Sequence, residues 1–185
     1  MKKNIIIYGL IAGIVVSVLM LFTTNYLSYC AGNVDYDTSM LIGYASMLIA
    51  FSIVYVGIRN YRDKYNGGVI SFGKAFKVGL MMVLIASTIF VVAWLIDYFF
   101  FMPPGFIEKS FAYELDMLKA SGAGQVEIDE KTKEMENFAR MYKNPFFNAM
   151  MTYAIILPVG LIVTLISSLI LKRKSNTKQF NTQTI

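Results

Sequence analysis

Residues 68–75 read GVISFGKA, one hydroxyl short of the phosphate-binding pattern G-x-x-x-x-G-K-[ST]. In that pattern backbone N–H groups and the lysine hold phosphates, and the last hydroxyl holds Mg²⁺. Here Ala75 stands in that last place. A working loop also follows a buried strand and opens a helix of an α/β domain, whereas this stretch follows the polar run RNYRDKYNG. Nucleotide binding is therefore not expected. The rest of the chemical inventory is thin. The chain has no histidine and one cysteine, Cys30, which removes the common metal ligands, the neutral-pH proton carrier and the base of a nucleophile triad. A lone cysteine closes no internal disulfide. Asp97 is the carboxylate nearest an apolar run, and at the end of that run it reads as a boundary residue at the membrane interface. Intramembrane proteolysis needs an aspartate pair, a serine with histidine, or a zinc motif within the bilayer, and none is present. No catalytic residue, metal or cofactor is expected. The chain reads as a non-enzyme, with lipid head-group chemistry near Lys74 and Lys77 as the residual alternative.

The residues that remain must be carried by a membrane scaffold. The 185 residues are 56% hydrophobic with a mean hydropathy of +0.55 and only 16% charged, against about 25% charge in ordinary soluble domains. Uncharged runs cover residues 5–22, 40–58, 78–96 and 145–171. At about 1.5 Å per residue each crosses most or all of a hydrocarbon core about 30 Å thick. They predict helices over about 5–24, 40–58, 78–97 and 146–171. The first run, after MKKN, is longer than a signal-peptide core and no A-x-A site follows it. LSYC, ending at Cys30, resembles a lipoprotein cleavage box, but Tyr29 sits where a small residue is needed, so an uncleaved helix is expected. Trp94 and Tyr98 flank the end of the third run as interfacial aromatics. Pro158, followed by Gly160, predicts a kink in the fourth, since proline removes a ladder bond and crowds the preceding turn.

The one sizeable polar insert, residues 104–144, carries two amphipathic patterns. Ile107, Phe111, Leu115 and Leu118 form a stripe, SGAG breaks it, and a second stripe holds Met135, Phe138 and Tyr142. Glu127 to Lys131, Asp129 to Lys133 and Glu136 to Arg140 are spaced for i,i+4 pairs. A helical hairpin is predicted, too small to bury a stable core alone. The fold class is thus an all-α integral membrane protein of four transmembrane helices, one domain over 1–174. An amphipathic helical hairpin lies between helices 3 and 4, and residues 175–185 form a flexible tail.

Basic residues flanking such helices stay in the cytoplasm. The amino terminus, the loop between helices 2 and 3 and the tail together hold 11 basic residues against Asp63 alone, while the other side holds 6 basic and 11 acidic. Both termini are expected in the cytoplasm of a bacterial inner membrane, with the acidic hairpin outside. This asymmetry accounts for the net charge of +5, and no nucleic-acid partner is expected. Arg59, Arg62, Lys74, Lys77, Lys172, Arg173 and Lys174 are placed to meet anionic head groups, with Ile70, Phe72, Ala75 and Phe76 at the interface. Gly9, Gly13 and Ser17, and again Gly160, Thr164 and Ser168, form small-xxx-small stripes that let helices approach closely, either within one bundle or between copies. Ser46, Ser52, Ser87, Thr88, Thr152 and Thr164 supply hydroxyls that usually bond to helix carbonyls rather than line a pore.

Three stretches carry a family likeness. They are LIGYASMLIAFSIVYVGIRNYRDKYNGGVISFGKAFKVGL (41–80), LKASGAGQVEIDEKTKEMENFARMYKNP (118–145) and PVGLIVTLISSLILKRK (158–174). In these the chain resembles the bacterial membrane proteins grouped as domain of unknown function 4199. The resemblance implies a four-helix integral membrane protein and carries over no activity and no functional residue. The expected role is membrane interaction or scaffolding, with the lipid bilayer and other membrane proteins, or the protein itself, as partners. A small transporter or channel subunit, using the region around Pro158, is the alternative.

Overall fold

Runs of Leu, Ile, Val, Met and Phe in hydrocarbon must close every backbone hydrogen bond within the segment, so each long run folds as one helix. The computed structural model describes residues 2–27, 36–103 and 105–173. Four of its helices are long and apolar enough to cross a membrane: α1 (Lys2–Leu21), α2 (Tyr36–Asn60), α3 (Phe72–Ile96) and α6 (Pro145–Leu171). Between α3 and α6 lie α4 (Phe106–Ala120) and α5 (Gln125–Tyr142). The box around Cys30, the residue Lys174 and the tail lie outside the described residues.

The helix ends differ from the sequence expectation for local reasons. Ser71, extended at φ −74° and ψ 154°, caps α3 by accepting from the Lys74 N–H at 3.4 Å, so α3 begins at Phe72 and carries Lys74 and Lys77 in its opening turns. The helix α2 runs on through Arg59 and into a π-helical turn, Tyr61–Tyr65, that contains Arg62. The expected loop therefore shrinks to residues 66–71. Asn144 caps α6 by accepting from the N–H groups of Phe146 and Phe147 at 2.9 and 3.4 Å, with Pro145 at the first position, where its missing N–H costs nothing. At Pro158 α6 continues without a break, and the proline is exposed on the side away from the bundle. Two further π-helical turns, Phe22–Leu27 and Asp97–Phe101, extend α1 and α3.

Chain direction alternates from span to span, so α3 runs parallel to α1 and antiparallel to α6. The helix α2 packs on α1 and α6 and closes the ring. Val16, Phe51, Ile58, Met82, Val83 and Ile156 fill the centre and are fully buried. Large aliphatic residues also point outward, among them Ile14, Val18, Ile49, Val92, Ile162 and Ile170. Helices apolar on every face suit a lipid surround, where the outer surface has no water to avoid.

The helices α4 and α5 run side by side. Phe111 meets Phe138 edge-on with centroids 5.9 Å apart, and Lys143 reaches Glu108 at 3.3 Å. Lys131, Asp129 and Arg140 on α5 take partners other than the expected i,i+4 ones. Lys131 sits 3.7 Å from Glu134 and 3.9 Å from Glu114 across the pair, Asp129 accepts from Gln125, and Arg140 donates to Asn137.

Candidate functional site

The small-residue stripes both lie against α3. Gly9, Gly13, Ser17, Gly160, Thr164 and Ser168 are all buried within the chain. A Cβ on Gly13 would meet Ile89 Cδ1 at 2.7 Å, and one on Gly79 would meet Thr164 Cγ2 at 2.6 Å; Gly160 is pressed equally hard against Val83. Close backbone approach is the usual way helices bind in lipid, where apolar burial gives no preference for protein over lipid. The contact has a polar cost. Thr88 and Thr152 donate back to the carbonyls four residues earlier, at 2.8 Å in each case, whereas the hydroxyls of Ser17, Ser87, Thr164 and Ser168 are buried without a hydrogen-bond partner among the described residues.

At the α4–α5 end the packing becomes polar. Asn148, fully buried, accepts from the Trp94 indole N–H at 2.9 Å and donates to the Tyr142 carbonyl at 3.4 Å, while Thr152 donates to its backbone carbonyl. One amide thus joins α3, α6 and the end of α5. Aromatic rings surround it: Tyr98 stacks on Trp94 and meets Tyr142 edge-on, and Phe138 contacts Tyr142, Phe111 and Phe147. Burial pushes the Tyr142 phenol above its ordinary value. Asp97 lies at the end of α3 as expected and is 2% exposed, in the π-helical turn Asp97–Phe101 that prolongs the helix.

Beyond this knot, α4 and α5 form a groove lined by Glu114, Leu118, Glu127, Glu130, Lys131 and Glu134. Four carboxylates face one ammonium there. Further towards the bundle, Glu108 is held below the usual carboxylate range by a backbone hydrogen bond and by Lys143.

The opposite end gathers cations. Ile70 and Arg173 exchange two backbone hydrogen bonds, at 3.2 and 2.9 Å, which tie the loop before α3 to the end of α6. Ile70 and Ala75 are consequently 1% and 0% exposed, not interfacial as expected, while Phe72 keeps 39% of its surface open. Arg59, Lys74, Lys77, Lys172 and Arg173 are exposed and Arg62 is half-buried. Arg62 holds Asp63 at 2.6 and 3.2 Å, and Lys74 donates to Asn66 and lies 5.8 Å over the Tyr61 ring. Gly67 and Gly68 both take positive φ in the turn before the bridge, a conformation open to glycine. Within the GVISFGKA stretch the structure thus forms a turn, a bridge and a capped helix start.

Sequence reasoning missed Asn148, the Asn4 amide that donates to the Gly57 carbonyl at 3.1 Å, the Tyr8–Asn60 contact, and the Ile70–Arg173 bridge. The two asparagines were visible as the polar residues inside or beside otherwise apolar runs. The bridge left no local signal, because its partners are a hundred residues apart. Among the described residues no group of three or more His, Cys, Asp or Glu could hold a metal ion.

No curated protein and no solved structure matches the chain significantly. The family described as "Protein of unknown function (DUF4199)" matches residues 7–173. Nearly the whole chain, from the first spanning helix to the bridge at Arg173, therefore belongs to the DUF4199 family.

Proposed function

We propose that this protein is a non-catalytic interaction protein of the bacterial inner membrane, with both termini in the cytoplasm, that recruits a basic segment of another membrane protein on its acidic α4–α5 pair. The observation that carries this reading is the exposed groove of Glu114, Glu127, Glu130 and Glu134. Its apolar stripe is engaged between the two helices and the bundle, and carboxylates dominate the lining of the groove on its outer side. The small-residue faces, which could have recruited helices from other proteins, are engaged inside the bundle on α3. That leaves the pair as the surface best suited to a partner. Capture from mild detergent with and without residues 104–144 tests the reading. Loss of specific co-purifying membrane proteins on deletion is expected, and an unchanged set would sink it.

A small transporter or channel subunit is the second reading, favoured by the four buried hydroxyls that have no hydrogen-bond partner among the described residues. Proteoliposomes that conduct no ion and accumulate no solute would remove it.

A further inference from the structure

We propose that the bridged end of the bundle is a docking surface for anionic phospholipids, with Lys74, Lys77, Lys172 and Arg173 on the head-group phosphate and the adjoining α3–α6 surface on the acyl chains. This is independent of the partner proposed for α4–α5.

The bridge makes the surface. Without it the cations of α3 and those of α6 would belong to opposite ends of the sequence; the reciprocal Ile70–Arg173 hydrogen bonds set them on one edge. One carboxylate, Asp63, faces this end, and Arg173 acts on it from beyond ion-pair distance. Asp63 is engaged by Arg62 at 2.6 Å and Arg59 at 3.8 Å. Among the described residues no carboxylate lies within ion-pair distance of the other four cations. Lys74 is held instead by a neutral amide and a ring, which orient the ammonium and leave its charge intact.

The surface next to these cations selects an amphiphile over a free anion. One and two turns beyond Lys77 on α3, Met81 and Leu84 are 46% and 42% exposed, and just before Lys172 on α6, Leu169 and Ile170 are 45% and 64% exposed. Phe72 and Phe76 stack at 6.0 Å beside Lys74, as aromatic rings do at head-group depth. Cations over an outward apolar wall match a phosphate over acyl chains, and each such cation strengthens association about fivefold.

The test uses the full chain purified in neutral detergent. Phosphatidylglycerol, phosphatidylcholine and inorganic phosphate are added separately, and bound lipid by native mass spectrometry and the melting temperature are read. Phosphatidylglycerol is expected to be retained and to raise the melting temperature, phosphatidylcholine and phosphate to do neither. Lys77→Gln with Arg173→Gln should weaken retention about 25-fold, while Lys77→Arg with Arg173→Lys, which guards against a folding defect, should keep it. Equal retention of phosphatidylcholine, an undiminished response in the neutral variant, loss in the charge-keeping variant, or a full response to phosphate alone would each overturn the proposal.

Discussion

The indole N–H of Trp94 on α3 donates to the side-chain oxygen of the fully buried Asn148 on α6 at 2.9 Å, and the same amide reaches back to the Tyr142 carbonyl at the end of α5. Asn148 is thereby a polar fastening of the α4–α5 pair to the bundle, beside the Phe138–Phe147 and Tyr98–Tyr142 ring contacts. Replacing it with leucine leaves the Trp94 donor and the Tyr142 acceptor unpaired in a dry site, a loss of about 1–3 kcal/mol. Hydrogen exchange across residues 135–142 should quicken in Asn148→Leu and stay slow in the centre of α3. Unchanged exchange would show that the aromatic contacts alone hold the pair.

Gly13 and Gly43 predict opposite outcomes when a side chain is added. A side chain on Gly13 meets Ile89 and Ala86, whereas nothing lies within 4 Å of a Cβ on Gly43. Gly13→Leu is expected to lower stability by about 1–3 kcal/mol or more, as overpacking does. Gly43→Ala, in an open helical position, is expected to hold or raise it. Thermal unfolding followed by circular dichroism in detergent makes the comparison.

Thr164 gives a test with the sign reversed. Its hydroxyl is buried against Gly79 without a hydrogen-bond partner among the described residues, so the isosteric Thr164→Val should be neutral or stabilising by about 1 kcal/mol. A clear loss of stability would mean that the hydroxyl is satisfied by water or solute inside the bundle, which would favour the transport reading.

Glu108 supplies a pH dependence. A backbone hydrogen bond and Lys143 hold its carboxyl below the ordinary value of 4.5. A depressed folded value means that the contribution is present above the unfolded value and fades as pH falls through the folded one. Because Glu108 and Lys143 are both well exposed, the effect is small. Limited proteolysis of α4–α5 should show the wild type more resistant than Glu108→Gln at pH 6, with the difference shrinking as the pH is taken progressively below 4.5.

The sequence revealed the four spans, the two amphipathic stripes of the insert and the cation asymmetry, because each rests on local periodicity or on charge counted along the chain. The extra turns of α2 and α3 escaped it. The polar spellings RNYRDKY and SFGKAFK continue helices once Ser71 caps one and the chain takes a π-helical turn at Tyr61–Tyr65. The burial of Asp97, Asn148 and Ile70 could not be read at all. Asn148 and Ile70 meet partners far away in the chain, Trp94 and Arg173, and hydropathy records what a residue is, not what is packed over it.

The acidic face of α4–α5 is the surface proposed to bind the partner, and removing charge from it tests that role with the bundle intact. Glu127→Gln, Glu130→Gln and Glu134→Gln, all exposed, are combined in the full chain, and partners are captured by in vivo crosslinking. The triple variant is predicted to lose the same partners as deletion of residues 104–144 while its melting temperature stays that of the wild type. An unaltered partner set at an unaltered melting temperature would contradict the account.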